Sequence, residues 1–419
     1  MIKEYYNKNK ETITNFIWRA IQVGGKQGIT FLIFILCAKL LSPYDFGVYN
    51  YILAITFFLI IFGDFGISTA TSKFVAEYNA TDKEKIKYVL FNASVVIFFS
   101  TAIITILTIV FGPIYLGERY YYILYLLPLV FLAPLTSLYD GIYRGLKRFK
   151  RLSLITLFTG LASIIIVYIL IKKYGLLGAL ISQNLFYLLL VFILALGFKE
   201  FRLKLNKKII KDLTSYSILV GLSSIGYYLY TRVDILVLGH FGYIEEIAYY
   251  EIISKIFTFI LTPILILGTV TAPNNTKNFS LKKYSYLKNK IKKESLILLI
   301  IGTLTALISY LILPLFFRIF FNEYNLVTLT TILNFMLILV PLRFFSSYLT
   351  VAYIIPGGFV KISTICLITF GAINLILDIL LIKPFGLMGI IYATILTQLL
   401  FIFAKDTYFY FKIIKNLKN

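Results

Sequence analysis

The sequence predicts an all-α integral membrane protein of twelve transmembrane helices in two pseudo-symmetric six-helix lobes, and three observations predict it. Of 419 residues, 59% are apolar or aromatic, only 14% are charged, and the mean hydropathy is +0.87. Water does not accommodate that balance in a soluble domain of this size. Hydrophobic runs bounded by charge, Gly or Pro recur twelve times along the chain. Finally, the second half repeats the first: IKKYGLLG from Ile171 matches IKPFGLMG from Ile382 at an offset of 211, and the same offset pairs Gly160 with Gly371 and Lys150 with Lys361.

The runs lie at 13–40, 47–70, 88–111, 120–143, 152–171, 176–198, 214–240, 247–271, 294–317, 326–353, 360–382 and 387–411. Twelve spans of about 20 residues take up roughly 240 positions, which excludes a large soluble catalytic domain. The first run follows Lys3, Lys8 and Lys10 without a small-residue cleavage site, so it reads as a retained helix. A second, weaker match sets SPYDFGVYNY from Ser42 against YIEEIAYYEI from Tyr243, each joining the first two spans of its half. Connections at Ser42 to Phe46, Lys172 to Gly175 and Lys383 to Gly386 are very short, leaving no outer loop large enough to build a polymerase or ligase site. Between the sixth and seventh spans, KEFRLKLNKKIIKD alternates basic and apolar residues, as an interfacial amphipathic linker does. The expected division is therefore an N-terminal lobe at 1–198, a linker at 199–213 and a C-terminal lobe at 214–419. Six spans per half make the repeats parallel, related by an axis along the membrane normal.

Charge fixes the expected orientation. Lys and Arg number 41 against 19 Asp and Glu, a net charge of +22. Of those cations 29 fall in segments on the side of the N-terminus and 5 on the other side. Basic loops stay inside during insertion, which places both termini in the cytoplasm of a multi-pass cytoplasmic (inner or plasma) membrane protein. Insertion accounts for the excess, so nucleic acid is not an expected partner. Cys37 and Cys366 each sit in an apolar run, excluding a disulfide framework, a zinc site or a CxxC redox pair. His240 is the single histidine, too few for a metal cluster or a His-paired nucleophile. Tyrosines at span ends, among them Tyr120 to Tyr122, Tyr243, Tyr249, Tyr250, Tyr408 and Tyr410, read as an aromatic belt.

Ionisable groups within spans are costly and face a cavity or a partner. Arg19, Gln22 and Lys26 recur at spacings of three and four on the first span and form one polar stripe. Arg232, Lys255 and Arg343 lie in the seventh, eighth and tenth spans. These five cations fit a basic cavity that receives an anion, with Arg forks suited to phosphate oxygens. The same cations also read as a snorkelling Arg19 and as structural pairs with Asp64 or Asp234. Asp64 stands between glycines in FGDFG and is a second cavity candidate, with Lys26 or Lys73 as a partner. Asp140 and Arg144 read as a local interfacial pair, and the adjacent Lys405 and Asp406 are given no role because neighbours in a helix do not face each other. Asn374 and Asp378 share one helix face, Ile390 and Thr394 share another, and Asp234 adds a carboxylate. Two carboxylates, an amide, a hydroxyl and a carbonyl suit a hard cation held by oxygen, or else cross-link helices by hydrogen bonds. The repeat offset gives Ser163, Val167 and Gln183 in the first half, so the acidic set is confined to the second.

AKLLSPYDFGVYNY from Ala38, FGDFGISTATSKFVAEY from Phe62, RVDILVLGHF from Arg232 and INLILDILLIKPFGLMG from Ile373 together resemble the polysaccharide repeat-unit flippases. That family belongs to the multidrug, oligosaccharidyl-lipid and polysaccharide exporter superfamily. The resemblance spans essentially the whole chain and implies a transporter, not an enzyme. It implies translocation of an isoprenyl-pyrophosphate-linked oligosaccharide from the cytoplasmic to the outer leaflet, by alternating access through a cationic central cavity. The implied partners are the lipid-linked oligosaccharide, the bilayer, and a glycan polymerase or glycosyltransferases of the same pathway. Related peptidoglycan-precursor flippases hold sodium between helices 7, 11 and 12, which implies Asp234, Asn374, Asp378, the Ile390 carbonyl and Thr394 as a sodium set here. No cofactor is implied beyond a coupling ion, sodium or a proton. Those relatives usually carry fourteen helices, and this chain has twelve. The competing readings are a cation-coupled multidrug exporter of the same superfamily and a membrane transferase acting on prenyl phosphates. Five cavity cations argue against the first, and the lack of clustered loop Asp or His residues argues against the second.

Overall fold

The structure is a computed structural model that describes residues 2–198 and 202–417, with side chains from 17–198 and 202–413 and that of Thr14. Among the described residues the regular structure is helical throughout. In chain order the helices are α1 (Ile2–Leu40), α2 (Pro43–Asp64), α3 (Ile67–Thr81), α4 (Ile86–Leu116), α5 (Tyr120–Gly145), α6 (Phe149–Leu196), α7 (Lys207–His240), α8 (Ile244–Ser280), α9 (Tyr284–Phe320), α10 (Leu326–Leu337), α11 (Val340–Leu349), α12 (Val360–Phe385) and α13 (Leu387–Leu417).

Eight helical stretches of the described residues are long and apolar enough to cross a membrane, and a bent pair makes a ninth. Two of the eight hold two passes each. One contains both α4 and α5. The other is α6, which departs from helical geometry at Gly175 (φ 55°, ψ −131°). A continuous helix would keep residues eight apart about 12 Å from each other. Instead, a Cβ built on Gly178 would lie 2.0 Å from the Leu170 carbonyl, so the chain folds back there. The remaining pass is α7, whose start carries Lys207, Lys208, Lys211 and Asp212. Twelve passes result, and the chain is a multi-pass membrane protein.

Two spans are broken. The second bends between α2 and α3, where Phe65 (φ 36°) and Gly66 (φ 84°) leave helical space. The tenth bends by 51° between α10 and α11, where Pro341 starts the new helix, and runs on into a π-helical turn at Thr350–Ile354.

The described residues group into two compact units. One comprises residues up to Leu41 with Ile52–Ile225; the other comprises Ser42–Tyr51 with the residues from Gly226 onward. Chain order therefore does not divide them at 198 and 214. Close packing explains the exchange of the α2 start: a Cβ on Gly47 would meet the Ile244 carbonyl at 1.9 Å, and Gly239 lies against the Tyr51 ring. Within the first unit α1 packs on α6, and α3 and α6 pack on α5; within the second α12 pairs with α13, and α9 and α8 pair with α11. The first unit's core runs from Ile67 and Val75 of α3 through Val89, Ile97, Leu138 and Leu194 to Ile209 and Leu213 of α7.

The expected amphipathic linker differs from the structure. Lys199 to Phe201 lie outside the described residues, α7 already begins at Lys207, and Arg202 to Asn206 carry no regular secondary structure. Asn92 of α4 pins that irregular piece, donating to the Lys204 carbonyl at 3.0 Å and accepting from the Asn206 amide at 2.8 Å. The Arg202 amide donates to the Lys87 carbonyl at 2.7 Å. Backbone bonding to α4 replaces the helical bonding that an interfacial helix would use.

Candidate functional site

The first unit encloses a cavity of about 610 Å³ walled by α1, α2, α3, α5 and α6. The stripe on α1 points into it: Arg19, Gln22 and Lys26 line the wall together with Asp64, Asp140 and Arg144. Arg19 donates to the Gln22 amide oxygen and stands 4.0 Å from Asp140. Gln22 passes the contact on, donating to Asp140 at 3.0 Å, and Arg144 holds the same carboxylate at 2.7 Å. Asp64 is engaged by the amide (3.0 Å) and hydroxyl of Ser68. Lys73, one of its two expected partners, instead lies over the rings of Phe74 and Tyr216 at 4.9 and 4.3 Å. The reason is the break at Phe65 and Gly66, which frees the first-turn amides of α3 for the carboxylate to cap. Asp140 and Arg144 form the expected local pair, yet they wall the cavity as well. Three cations face two carboxylates there, leaving an excess of positive charge where an anion can be held.

In the second unit the helices bring all five members of the acidic set together. Asn374 donates to Asp234 Oδ1 at 2.7 Å and to Asp378 Oδ2 at 3.4 Å. Thr394 lies 3.3 Å from Asp234 Oδ1 and donates to the Ile390 carbonyl at 2.9 Å. Asn374 thus joins the two carboxylates. All five residues are buried, and Asp378 Oδ1 and Asn374 Oδ1 have no partner. Two adjoining carboxylates out of water, beside oxygens left unsatisfied, call for a shared proton or a cation.

Tyr250 completes this cluster, donating to Asp234 Oδ2 at 2.7 Å. The sequence places it beside a loop and so in the aromatic belt; α8 buries it instead. Ring position along the chain carries no signal for that, because burial depends on which helix packs over it.

The remaining cations belong to the second unit. Arg232 is paired with Glu251 of α8, a buried carboxylate that sequence reasoning passed over. Lys255 stands one turn beyond Glu251 on α8. Arg343 donates to the Tyr230 hydroxyl at 3.3 Å and lines a second cavity, of about 180 Å³, with Lys405. Lys405 is buried, donates to Ser346 at 3.0 Å and to Thr350, and lies 3.3 Å from Asp406. An ionisable residue in an apolar span was the signal that could have found it. Its hydroxyl partners, Ser346 and Thr350, sit more than fifty residues away in sequence, on the broken tenth span.

Residues 12–279 match the family model described as polysaccharide biosynthesis protein. An uncharacterized membrane protein of Methanocaldococcus jannaschii is 28% identical, over 89% of this chain and 92% of its own length. An inward-facing multidrug resistance transporter of the MATE family, in the MOP superfamily, has a similar structure. Its TM-score is 0.82 at 16% identity, over 95% of this chain and 99% of that one. The lipid II flippase MurJ in an inward closed conformation gives a TM-score of 0.75 at 18% identity, over 96% and 90%. At these identities the likeness to the two solved structures is one of fold.

Proposed function

The chain belongs to the polysaccharide biosynthesis protein family, and from that premise we propose that it is a flippase for an isoprenyl-diphosphate-linked oligosaccharide. In this reading the cargo passes from the cytoplasmic to the outer leaflet by alternating access, with both termini cytoplasmic. The observation that carries the reading is the charged cavity within membrane-spanning helices, lined by Arg19, Lys26 and Arg144. A diphosphate cannot cross hydrocarbon unaided, because stripping its water is prohibitive. Those cations, with the Gln22 amide, offer replacement solvation while the prenyl tail stays in lipid. Two carboxylates in the same cavity keep its charge from becoming so positive that the anion could not leave.

Direction requires a bias, since binding alone moves nothing preferentially. Asp234, Asn374, Asp378, Thr394 and the Ile390 carbonyl fit a monovalent cation, sodium or a proton, and the orphaned oxygens of Asp378 and Asn374 favour that over a purely structural cross-link. When bound, such an ion supplies the coupling charge. The chain's part is to hold it: Tyr250 and Thr394 orient Asp234, and Asn374 bridges the two carboxylates.

A second reading, export of organic cations, draws on Asp64 and Asp140 in the first cavity. Purified protein in liposomes separates the possibilities. Without nucleotide sugar, a labelled prenyl-diphosphate oligosaccharide should change leaflet faster than in protein-free vesicles. Chemical conversion of the label would point to a transferase, and export of a cationic dye with no movement of the glycolipid would favour the drug exporter.

A further inference from the structure

The second unit repeats the α1 cavity with a different lining. Its cavity of about 180 Å³ is walled by α7, α8, α11, α12, α13 and the π-helical turn, all within the residues from Gly226 onward. Tyr230, Ser347, Val351, Ser363 and Lys405 of that wall stand 211 positions after Arg19, Thr136, Asp140, Leu152 and Leu194, and all five of those line the α1 cavity. This offset is the one that relates the two halves of the chain, so the two cavities occupy matched places in the repeat. Their chemistry differs. A tyrosine replaces Arg19 and a valine replaces Asp140, while Ser347 keeps the hydroxyl of Thr136 and Ser363 adds one where Leu152 has none.

Lys405 does not take over as a group that meets a ligand. Its ammonium has three donors, and Ser346 at 3.0 Å, Thr350, and Asp406 at 3.3 Å engage it, so it fixes the wall. Arg343 is different: it gives one N–H to the Tyr230 hydroxyl at 3.3 Å, and a guanidinium carries five. Tyr227, which also lines the cavity, is 60% exposed and so presents its ring.

We propose that this cavity binds one sugar ring of the glycan carried on the prenyl diphosphate, an inference that rests on the reading of the cargo as a lipid-linked oligosaccharide. Three features select a sugar. Its hydroxyls both donate and accept, and Ser347 and Ser363 answer with groups of the same double capacity. Its C–H face suits the electron-rich face of the Tyr227 ring. Arg343 adds donors in a fixed plane for the sugar oxygens. Size agrees, since 180 Å³ is about six times the share of one water in the liquid, room for one ring and not for a chain of them. A diphosphate is disfavoured here, because Tyr230 stands where Arg19 does and the Lys405 donors are spent on the wall.

The test titrates the full-length protein in nanodiscs with a labelled prenyl diphosphate, and with the same lipid carrying one glucose, N-acetylglucosamine or glucuronic acid. At least one glycosylated form should bind about tenfold tighter than the bare diphosphate, as two hydrogen bonds would give. S347A/S363A should erase that gain and leave binding of the bare diphosphate unchanged. Y227A should reduce the gain and Y227F should keep it, whereas R19Q should weaken both forms by the same factor. Unchanged thermal unfolding establishes that the variants fold, and Y227A carries the test if S347A/S363A does not. If the bare diphosphate binds and no sugar adds affinity, the proposal falls while the flippase reading stands. A gain that survives in both S347A/S363A and Y227A places the sugar elsewhere and also overturns it. If no prenyl diphosphate binds, the flippase reading falls and takes the sugar site with it. Free glucose that binds as tightly as the glycosylated lipid would make this a soluble-sugar site and overturn the assignment to cargo.

Discussion

Asn374 of α12 donates to Asp234 of α7 at 2.7 Å and to Asp378, one turn along its own helix, at 3.4 Å. One amide thus bridges two carboxylates that are almost completely buried, with Asp378 Oδ1 left without a partner. Such a pair is stable only if its charge is neutralised, and the identity of the neutralising ion is open to measurement.

If that ion is sodium, wild-type protein in detergent gains thermal stability with NaCl over KCl at matched ionic strength. The gain at a hundred times the dissociation constant is about 2.7 kcal/mol. Asp378→Asn removes the gain, because the amide cannot balance the charge. Stability that depends on pH through Asp378 without a sodium preference identifies a proton carrier, and indifference to both ions leaves a packing role.

These residues were legible because a carboxylate in an apolar run is conspicuous and i, i+4 spacing fixes a shared face. Arg19, Gln22 and Lys26 were legible for the same reason. What stayed hidden depends on tertiary packing. Tyr250 and Glu251 stand at the chain position of an interfacial belt, and only the seating of α8 buries them. Lys405 has its two hydroxyl partners on the tenth span, where Pro341 is the one local sign of a break and nothing local announces the π-helical turn. The repeat was legible down to the backbone: Gly175 and Gly386, 211 positions apart, adopt φ 55° with ψ −131° and −134°. Only glycine takes that conformation without strain, so the matched strings record a matched turn. The exchange of Ser42–Tyr51 into the second unit was hidden, because it rests on the close approach of Gly47 to Ile244.

The Arg232–Glu251 pair gives a stability prediction. Glu251 is 1% exposed, whereas a third of the Arg232 side chain is accessible. Glu251→Leu should destabilise the protein by about 2–3 kcal/mol, toward the low end for breaking a buried pair because water screens Arg232. Adding Arg232→Leu should recover part of it, since the guanidinium that Glu251 pairs with is then gone while Lys255, one turn along α8, keeps its charge. Thermal unfolding of the two single variants and the double variant measures the coupling; additive losses would mean that the pair is not coupled.

Orientation follows from charge asymmetry and is tested by labelling. The native Cys37 and Cys366 are buried, so background reaction is low. Cysteines placed at Lys172 to Gly175 should react with an impermeant thiol reagent in intact cells, and one at Lys288 should react only after permeabilisation. Reversed labelling would invert the topology.

The α1 cavity makes the sharpest functional prediction. Arg19 reaches Asp140 both directly, at 4.0 Å, and through Gln22, which is 3.0 Å from it, so part of its charge is spent within the lobe. Lys26 lines the same cavity about two turns further along α1. If these cations solvate a diphosphate, each charge-assisted contact is worth about 1.5–3 kcal/mol, a loss of about 10- to 100-fold in transport. Arg19→Ala and Lys26→Ala should each reduce glycolipid translocation by that factor while leaving insertion and folding intact, and Lys26→Arg should keep part of it. Asp140→Asn separates charge from scaffold: it releases Arg19 and Arg144 from their shared carboxylate, so cargo should bind more tightly and leave more slowly. Translocation would then fall while binding of the prenyl diphosphate rises, an outcome that a merely structural Asp140 would not give. Normal export by the Arg19→Ala/Lys26→Ala double variant would remove this cavity from the transport path.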